Sequence, residues 1–304
     1  MDTTPTLVFA TRPSALARWQ THWVIRALQD AHPGLTCREE IIVTRGDRVL
    51  DRPLPEIGGK GLFTQELEAA LLSGRVHAAV HSLKDLPTAI PPSLTVGAVP
   101  ARAEVRDALV SAHGYTLATL PQGAVVGTSS LRRAAQLLAL RPDLHIRPLR
   151  GNVDTRVRKA LSKQYDAIVL AGAGLTRLGL TGHVTQWLPL EVVLPAPGQG
   201  ALAVQCRADD RATLRLLQAV DDAATRAAVA AERAFLAALG GGCAVPVAAY
   251  AQWVAPERLR LTGFVGATDG SGFWRGQMEG AEPAALGRAL AEQALAQGAR
   301  QWLG

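Results

Sequence analysis

Aromatic side chains are scarce: Phe, Trp and Tyr together make up 5% of the 304 residues, against 48% hydrophobic residues overall. The cores must therefore rest on Ala, Leu and Val. Stacking platforms of the kind a single-stranded nucleic-acid binder uses are in short supply. Cysteine is also rare. Cys37, Cys206 and Cys243 are odd in number and show no C-x-x-C spacing, which argues against a disulfide framework or a structural zinc site and fits reduced thiols in the cytoplasm. The seven histidines are scattered, with no i, i+4 pair on a predicted helix, so no metal site is expected. No apolar run approaches the ~20 residues of a membrane-spanning helix. The opening Met1-Asp2-Thr3-Thr4-Pro5 lacks the basic and apolar regions of a secretory signal. A cytoplasmic protein without a membrane partner is expected. Repeats, low-complexity stretches and long polar linkers are missing too.

What is present begins with charge. The net charge of +6 points to an anionic partner without saying which. The length implies two or three domains, because single cores stop growing near 250–300 residues.

Along the chain, apolar strand-like runs alternate with helical periodicity up to about residue 200. Leu7–Ala10 reads as a strand, and a helix capped by Ser14 follows, with Leu16, Trp19, Trp23 and Ala27 at helical spacing. Glu40–Val43 reads as a strand, 44–61 as a glycine-rich loop, 64–73 as a helix and Ala78–His81 as a buried strand. A second unit begins near 105, with strands at 124–126, 144–148 and 167–171 and helices after Ser130 and from Val153. This alternation predicts α/β layers with mostly parallel sheets. From Asp221 the texture changes to an Ala-rich helix over 225–239, three strand-like stretches near 247–252, 259–265 and 272–277, and a helix over 283–297. That order predicts a small α+β domain with an antiparallel sheet.

Four constellations stand at the ends of these elements. His81-Ser82-Leu83-Lys84-Asp85-Leu86-Pro87 follows a buried strand, where open α/β sheets place ligands. An Asp there can stabilise developing positive charge, or simply cap a loop. Gly127-Thr128-Ser129-Ser130-Leu131-Arg132-Arg133 carries a strand into a helix start, an anion site by dipole and free amides. Two arginines in a first helical turn oppose the dipole, so an anion should satisfy them. The spacing is not that of a P-loop. Arg147-Pro148-Leu149-Arg150-Gly151-Asn152-Val153-Asp154-Thr155-Arg156 repeats the strand-to-helix pattern. Arg177 follows a third such strand, and Arg12 with Ser14 follows the first. Guanidinium forks at several strand ends suit a cleft for several carboxylates or phosphates. Gly240-Gly241-Gly242-Cys243 is either a helix C-cap or an accessible thiol at a turn, and the residues alone leave that even. Cys206 looks strand-borne and packed. Nothing orients His77 or His81 toward Cys243 for papain-like chemistry.

Together these segments resemble the porphobilinogen deaminase (hydroxymethylbilane synthase) family. The resemblance lies in Ala10–Ser14, Val43–Asp47, Gly58–Phe63, His81–Pro87, Gly127–Arg133, Leu149–Arg156, Ala173–Gly179, Leu194–Gly200 and Gly241–Pro246, in the family's order. Leu83, Pro13 and Asp154 depart from its commonest pattern. The resemblance implies two periplasmic-binding-protein-like α/β domains around a cleft, residues 1–100 with 200–218 and residues 105–195, and a third domain, 222–304. It implies a dipyrromethane cofactor thioether-linked to Cys243. Porphobilinogen units are then condensed stepwise onto it with loss of ammonia, giving the linear tetrapyrrole hydroxymethylbilane.

On this pattern Asp85 is the catalytic residue. Lys84, Ser82, Thr128, Ser129, Ser130, Arg132, Arg133 and Gly151 hold the cofactor. Arg12, Ser14, Arg150, Arg156, Arg177, Gln199 and Lys60 bind substrate. The loop near 46–61 would be a lid. The chemistry fits: each pyrrole brings two carboxylates, and an ionised Asp85 suits a positively charged pyrrole nitrogen. A monomer is expected, since no coiled coil or large apolar patch is evident. A non-catalytic two-lobed anion-binding protein would explain the arginines but leave Asp85 and the Gly-Cys turn without a role.

Overall fold

The computed structural model describes residues 6–48, 61–241 and 245–303. The strands in chain order are β1 (Thr6–Thr11), β2 (Thr36–Ile41), β3 (Ala78–Ser82), β4 (Leu94–Ala98), β5 (Asp107–Val110), β6 (Val125–Gly127), β7 (His145–Arg147), β8 (Ala167–Ala171), β9 (Val184–Trp187), β10 (Leu202–Arg207), β11 (Val247–Ala255), β12 (Arg258–Gly266) and β13 (Phe273–Gly280). Among the described residues the helices are α1 (Ala15–Ala31), α2 (Arg45–Arg48), α3 (Gln65–Leu72), α4 (Leu131–Leu140), α5 (Val153–Leu161), α6 (Gly172–Arg177), α7 (Arg211–Leu217), α8 (Ala223–Ala238) and α9 (Pro283–Ala296), with short 3-10 turns as well. The fold is mixed α/β, with two five-stranded sheets and a smaller antiparallel sheet.

The chain divides into two compact units. The first comprises the described residues up to Ala103 and then Ala201–Arg226. Its sheet has the order β2-β1-β3-β10-β4. β1 pairs in parallel with β2 and β3, whereas β10 returns antiparallel between β3 and β4. The expectation of a mostly parallel sheet holds: β10 alone runs against the other four strands. Leu7, Phe9, Val24, Leu28 and Val80 pack one face and Val8, Ala10, Leu67 and Leu71 the other. α1 starts where Ser14 Oγ accepts the Ala17 amide at 3.3 Å, an N-cap of the kind read from sequence.

The second unit holds Glu104–Gly200 and the described residues from Ala227 onward. Its five-stranded sheet has the order β7-β6-β8-β5-β9, parallel at β6–β7 and β6–β8 and antiparallel at β5–β8 and β5–β9. The two sheets thus share one strand scheme, a repeat that the sequence does not display. β11, β12 and β13 form an antiparallel sheet. Phe235 of α8, Leu239 just beyond its end, and Leu290 and Ala294 of α9 pack in one cluster with Val247, Leu261 and Trp274 from it. Leu194, Ala135, Ala248 and Phe264 join this sheet to the rest of the unit.

α8 ends on a glycine cap. Gly240 sits at φ +70°, and the Gly240 and Gly241 amides donate to the Ala237 and Leu236 carbonyls, each at 3.0 Å. Only a residue without a side chain takes that left-handed position cheaply.

Candidate functional site

Parallel strands put their carboxyl ends on one edge of a sheet, and in the first unit β1, β2 and β3 deliver their successors there. Arg12 and Ser14 follow β1. The Arg12 guanidinium pairs with Asp47, its Nε donating to both carboxylate oxygens at 3.2 Å. It also lies 4.0 Å from the centre of the Phe63 ring. The ring comes so close to α2 that a Cβ on Gly46 would meet it at 2.2 Å, so only glycine fits. Burial works to raise the Asp47 carboxyl. The Arg12 hydrogen bonds and charge, aided by the Thr44 hydroxyl and amide, outweigh this and hold it below the usual range.

β3 ends at Ser82, and a 3-10 turn, Leu83–Asp85, carries the next motif. Leu83 is buried as the turn's apolar anchor. Ser82 Oγ accepts from the amide of the buried Gln20 at 2.9 Å. Asp85 is exposed, and its carboxylate makes no hydrogen bond or ion pair with another described residue. Arg12, Ser14, Gln20, His81, Ser82 and Asp85 line one pocket. His81, 5% exposed, meets Gln205 Oε1 through Nε2 at 3.0 Å, and the Gln205 amide nitrogen donates to Glu68 at 3.1 Å. Burial, reinforced by the Arg12 charge and partly offset by the Gln205 bond, lowers His81 to about 4. It is neutral at pH 7.

In the second unit β6, β7 and β8 are adjacent and parallel. Thr128, Ser129 and Ser130 follow β6. Ser129 Oγ donates to the Leu149 carbonyl and accepts its amide, both at 3.0 Å, which ties this turn to the one after β7. Ser130 Oγ caps α4 by accepting the Arg133 amide at 3.4 Å. Arg150 and Gly151 follow β7. Gly151 has φ +111°, a Cβ there would meet Thr155 at 2.9 Å, and its carbonyl accepts Arg156 Nε at 2.7 Å. After β8 comes α6, which begins at Gly172, where a Cβ would meet Trp187 at 2.4 Å. Arg177 closes it and donates to the Gly200 carbonyl at 2.8 Å. Burial lowers Arg177 to about 10, which still leaves it charged at neutral pH.

Arg132 and Arg133 are 4% and 6% exposed. The sequence reading expected an external anion to satisfy them. The structure corrects this: the anion is the side chain of Asp107, at the start of β5. Its Oδ2 accepts from Arg132 at 2.8 Å and its Oδ1 from Arg133 at 2.7 Å and from Gln199 at 2.9 Å. Asp107 is completely buried. Burial works to raise its carboxyl, and the two guanidinium charges overturn that and hold it far below the normal range. Gln199 is likewise completely buried, its amide nitrogen also donating to the Val105 carbonyl at 2.8 Å. Its polar head is thus engaged inside the unit. The sequence reading missed Asp107, although an acid opening the apolar run Ala108-Leu109-Val110 is a visible anomaly.

Two predicted site residues, Lys60 and Cys243, lie outside the described residues, as does most of the expected lid at 46–61, of which 46–48 belong to α2. Lys84 sits half-buried on the 3-10 turn before Asp85. Cys206 is fully buried, and burial, with Asp210 adding to it, pushes its thiol up to about 11. It is a packed residue at neutral pH.

A family model described as the porphobilinogen deaminase dipyromethane cofactor binding domain matches residues 7–215, and the model of the porphobilinogen deaminase C-terminal domain matches residues 226–296. The chain belongs to the porphobilinogen deaminase family. Porphobilinogen deaminase of Roseiflexus sp. (strain RS-1) is 57% identical over 98% of this chain and 98% of its own length. That of Brevibacillus brevis is 52% identical over 95% and 94%. Among solved structures, the Bordetella pertussis BvgS VFT2 domain aligns with 71% of this chain and 86% of its own at 16% identity and a TM-score of 0.40, a likeness too distant to bear on the assignment. The cofactor-binding part of a porphobilinogen deaminase thus spans both carboxyl edges described above. A non-catalytic anion-binding protein is not favoured.

Proposed function

We propose that the chain is a hydroxymethylbilane synthase. It condenses four porphobilinogen molecules stepwise, releasing ammonia each time, into the linear tetrapyrrole of porphyrin and haem biosynthesis. It does so as a cytoplasmic monomer of three domains, 1–100 with 200–218, 105–195 and 222–304. The observation that carries this reading is Asp85. In a porphobilinogen deaminase family chain, an exposed carboxylate without a described partner opens on a pocket shared with Arg12 and Ser14.

The residues suit a dipyrromethane group, which is polyanionic. Arg132 and Arg133 share a single carboxylate, leaving one positive charge in excess, and Arg133 Nε is buried without a hydrogen-bond partner among the described residues. Thr128, Ser129, Ser130, Lys84, Ser82 and Gly151 complete the donor set on this reading, and Cys243 is the thioether anchor. When bound, the group supplies the primer to which pyrrole units are added. Asp85 stabilises the positive charge that develops on the substrate's pyrrole nitrogen as ammonia leaves, and it accepts and returns the protons of coupling. Arg12, Ser14, Arg150, Arg156, Arg177 and Lys60 serve the substrate carboxylates, the arginines through bidentate pairs, whereas the buried Gln199 acts behind them through Asp107.

Support comes from the two carboxyl edges, each built of parallel strands and each bearing arginine. Intact-mass analysis of denatured, active protein tests the anchor. An adduct that maps to Cys243 is expected, and an unmodified mass from active protein would refute it.

A further inference from the structure

Three consecutive residues, Gly198, Gln199 and Gly200, are each gripped by a different charged or polar group of the second unit. The Gly198 amide donates to Glu232 Oε2 at 2.7 Å. The Gln199 side chain donates to Asp107 at 2.9 Å. The Gly200 carbonyl accepts from Arg177 at 2.8 Å. Gly198 and Gly200 stand at φ +76° and +86°, a turn only glycines hold without strain. Glu232 is completely buried in α8, and its other oxygen accepts the Ala251 amide of β11 at 2.9 Å. Within this unit Glu232 therefore joins α8 and β11 to the turn that meets Asp107 and Arg177, and Asp107 holds Arg132 and Arg133.

We propose that Glu232 is a positioning residue for this arginine cluster. It touches neither substrate nor cofactor. By fixing the Gly198 amide it sets the Gly198–Gly200 turn, and through that turn the orientation of Asp107, Arg132, Arg133 and Arg177. A buried carboxylate suits the task because both its oxygens accept from backbone amides in fixed places. A neutral amide of the same shape turns one acceptor into a donor facing an N–H. The inference rests on the functional reading above, in which these arginines hold the carboxylates of substrate and cofactor.

The test is steady-state kinetics with porphobilinogen on the full-length protein, run well below each variant's Tm, together with intact mass. Glu232→Gln is expected to raise KM about tenfold with kcat within about threefold, or to lose the covalent adduct. Gln199→Met is expected to raise KM as well. The double variant should be no worse than the more affected single one, because both act through one turn. Should Glu232→Gln give no soluble protein, Gly198→Ala strains the same turn without altering Glu232, and the same KM rise is expected. A soluble variant with lowered Tm but wild-type KM and full adduct would overturn the inference, as would effects on log KM that simply add. Wild-type protein that consumes no porphobilinogen would overturn the functional reading and this inference with it. An active wild type with unaffected variants overturns the inference alone.

Discussion

Acidification should weaken the first unit through one buried histidine. His81 is 5% exposed and lowered by burial from 6.5 to about 4. In the folded protein it stays neutral over a range where the unfolded chain binds a proton. Its contribution is therefore fully present above pH 6.5 and is lost as pH falls toward 4. At 1.36 kcal/mol per pH unit the full loss is about 3.4 kcal/mol, of which about 2 kcal/mol is already gone at pH 5. His81→Asn removes the titration. The assay is urea unfolding of both proteins at pH 7, 6 and 5, with wild-type stability referred to the variant at each pH so that other histidines cancel. Wild type should lose about 2 kcal/mol relative to His81→Asn between pH 7 and 5. A difference constant to within about 0.5 kcal/mol would show that His81 is not the buried neutral group described.

The remaining predictions concern the two aspartates. Asp85→Asn should leave the unfolding midpoint unchanged, because the carboxylate has no described partner, yet lower turnover of porphobilinogen on the order of a hundredfold or more; near-normal kcat would remove Asp85 from the chemistry. Asp107→Asn leaves two buried guanidinium groups without their counter-charge and should cost about 3–5 kcal/mol in chemical denaturation. Four of the six tryptophans, Trp187, Trp253, Trp274 and Trp302, lie in the second unit, so fluorescence follows its unfolding. A loss below about 1 kcal/mol would mean that Asp107 does not carry the pair.

The long periodic elements were legible in the sequence. The helix capped by Ser14, the Ala-rich helix before the glycines and the three C-terminal strands appear within a few residues of their predicted bounds. Short strands were not. β4, β5 and β9 have four or five residues each, too few for a period to show. β2 was expected over 40–43 but spans Thr36–Ile41. It is an edge strand with a half-exposed, alternating pattern, and the apolar Ile41-Ile42-Val43 run drew attention to its end. The strand-end arginines and Asp85 were visible because their residue types conflict with their surroundings. What escaped were the groups behind them. Glu232 falls on the same helical face as Ala228, Ala231 and Phe235, so its spacing alone marks it as buried. The Ala-rich helix was read as an element only, and Glu232 was not singled out within it.

Asp85 and Asp107 show why one residue type serves two purposes in this fold. Both stand at strand ends, but at opposite ends relative to chain direction: Asp85 just beyond the carboxyl end of β3, Asp107 at the first residue of β5. β5 runs antiparallel to β8, with Asp107 paired to Ala171. Its amino end therefore reaches the same edge as the carboxyl ends of β6, β7 and β8, where the turns bearing Thr128, Arg150 and Arg177 emerge. An acid placed there by an all-parallel sheet would have to follow a strand and would stand in a loop, open to water as Asp85 is. The antiparallel strand instead puts it inside the sheet, among apolar neighbours, where only a counter-charge makes its ionisation tolerable. Arg132 and Arg133 supply that counter-charge and are held in place by it. Two guanidinium groups against one carboxylate leave a single positive charge in excess, in a region of low dielectric where it acts strongly on an anion at the sheet's edge. Reversing β5 is thus what converts a pair of first-turn arginines, unfavourable against the α4 dipole, into a fixed cationic feature of the second unit.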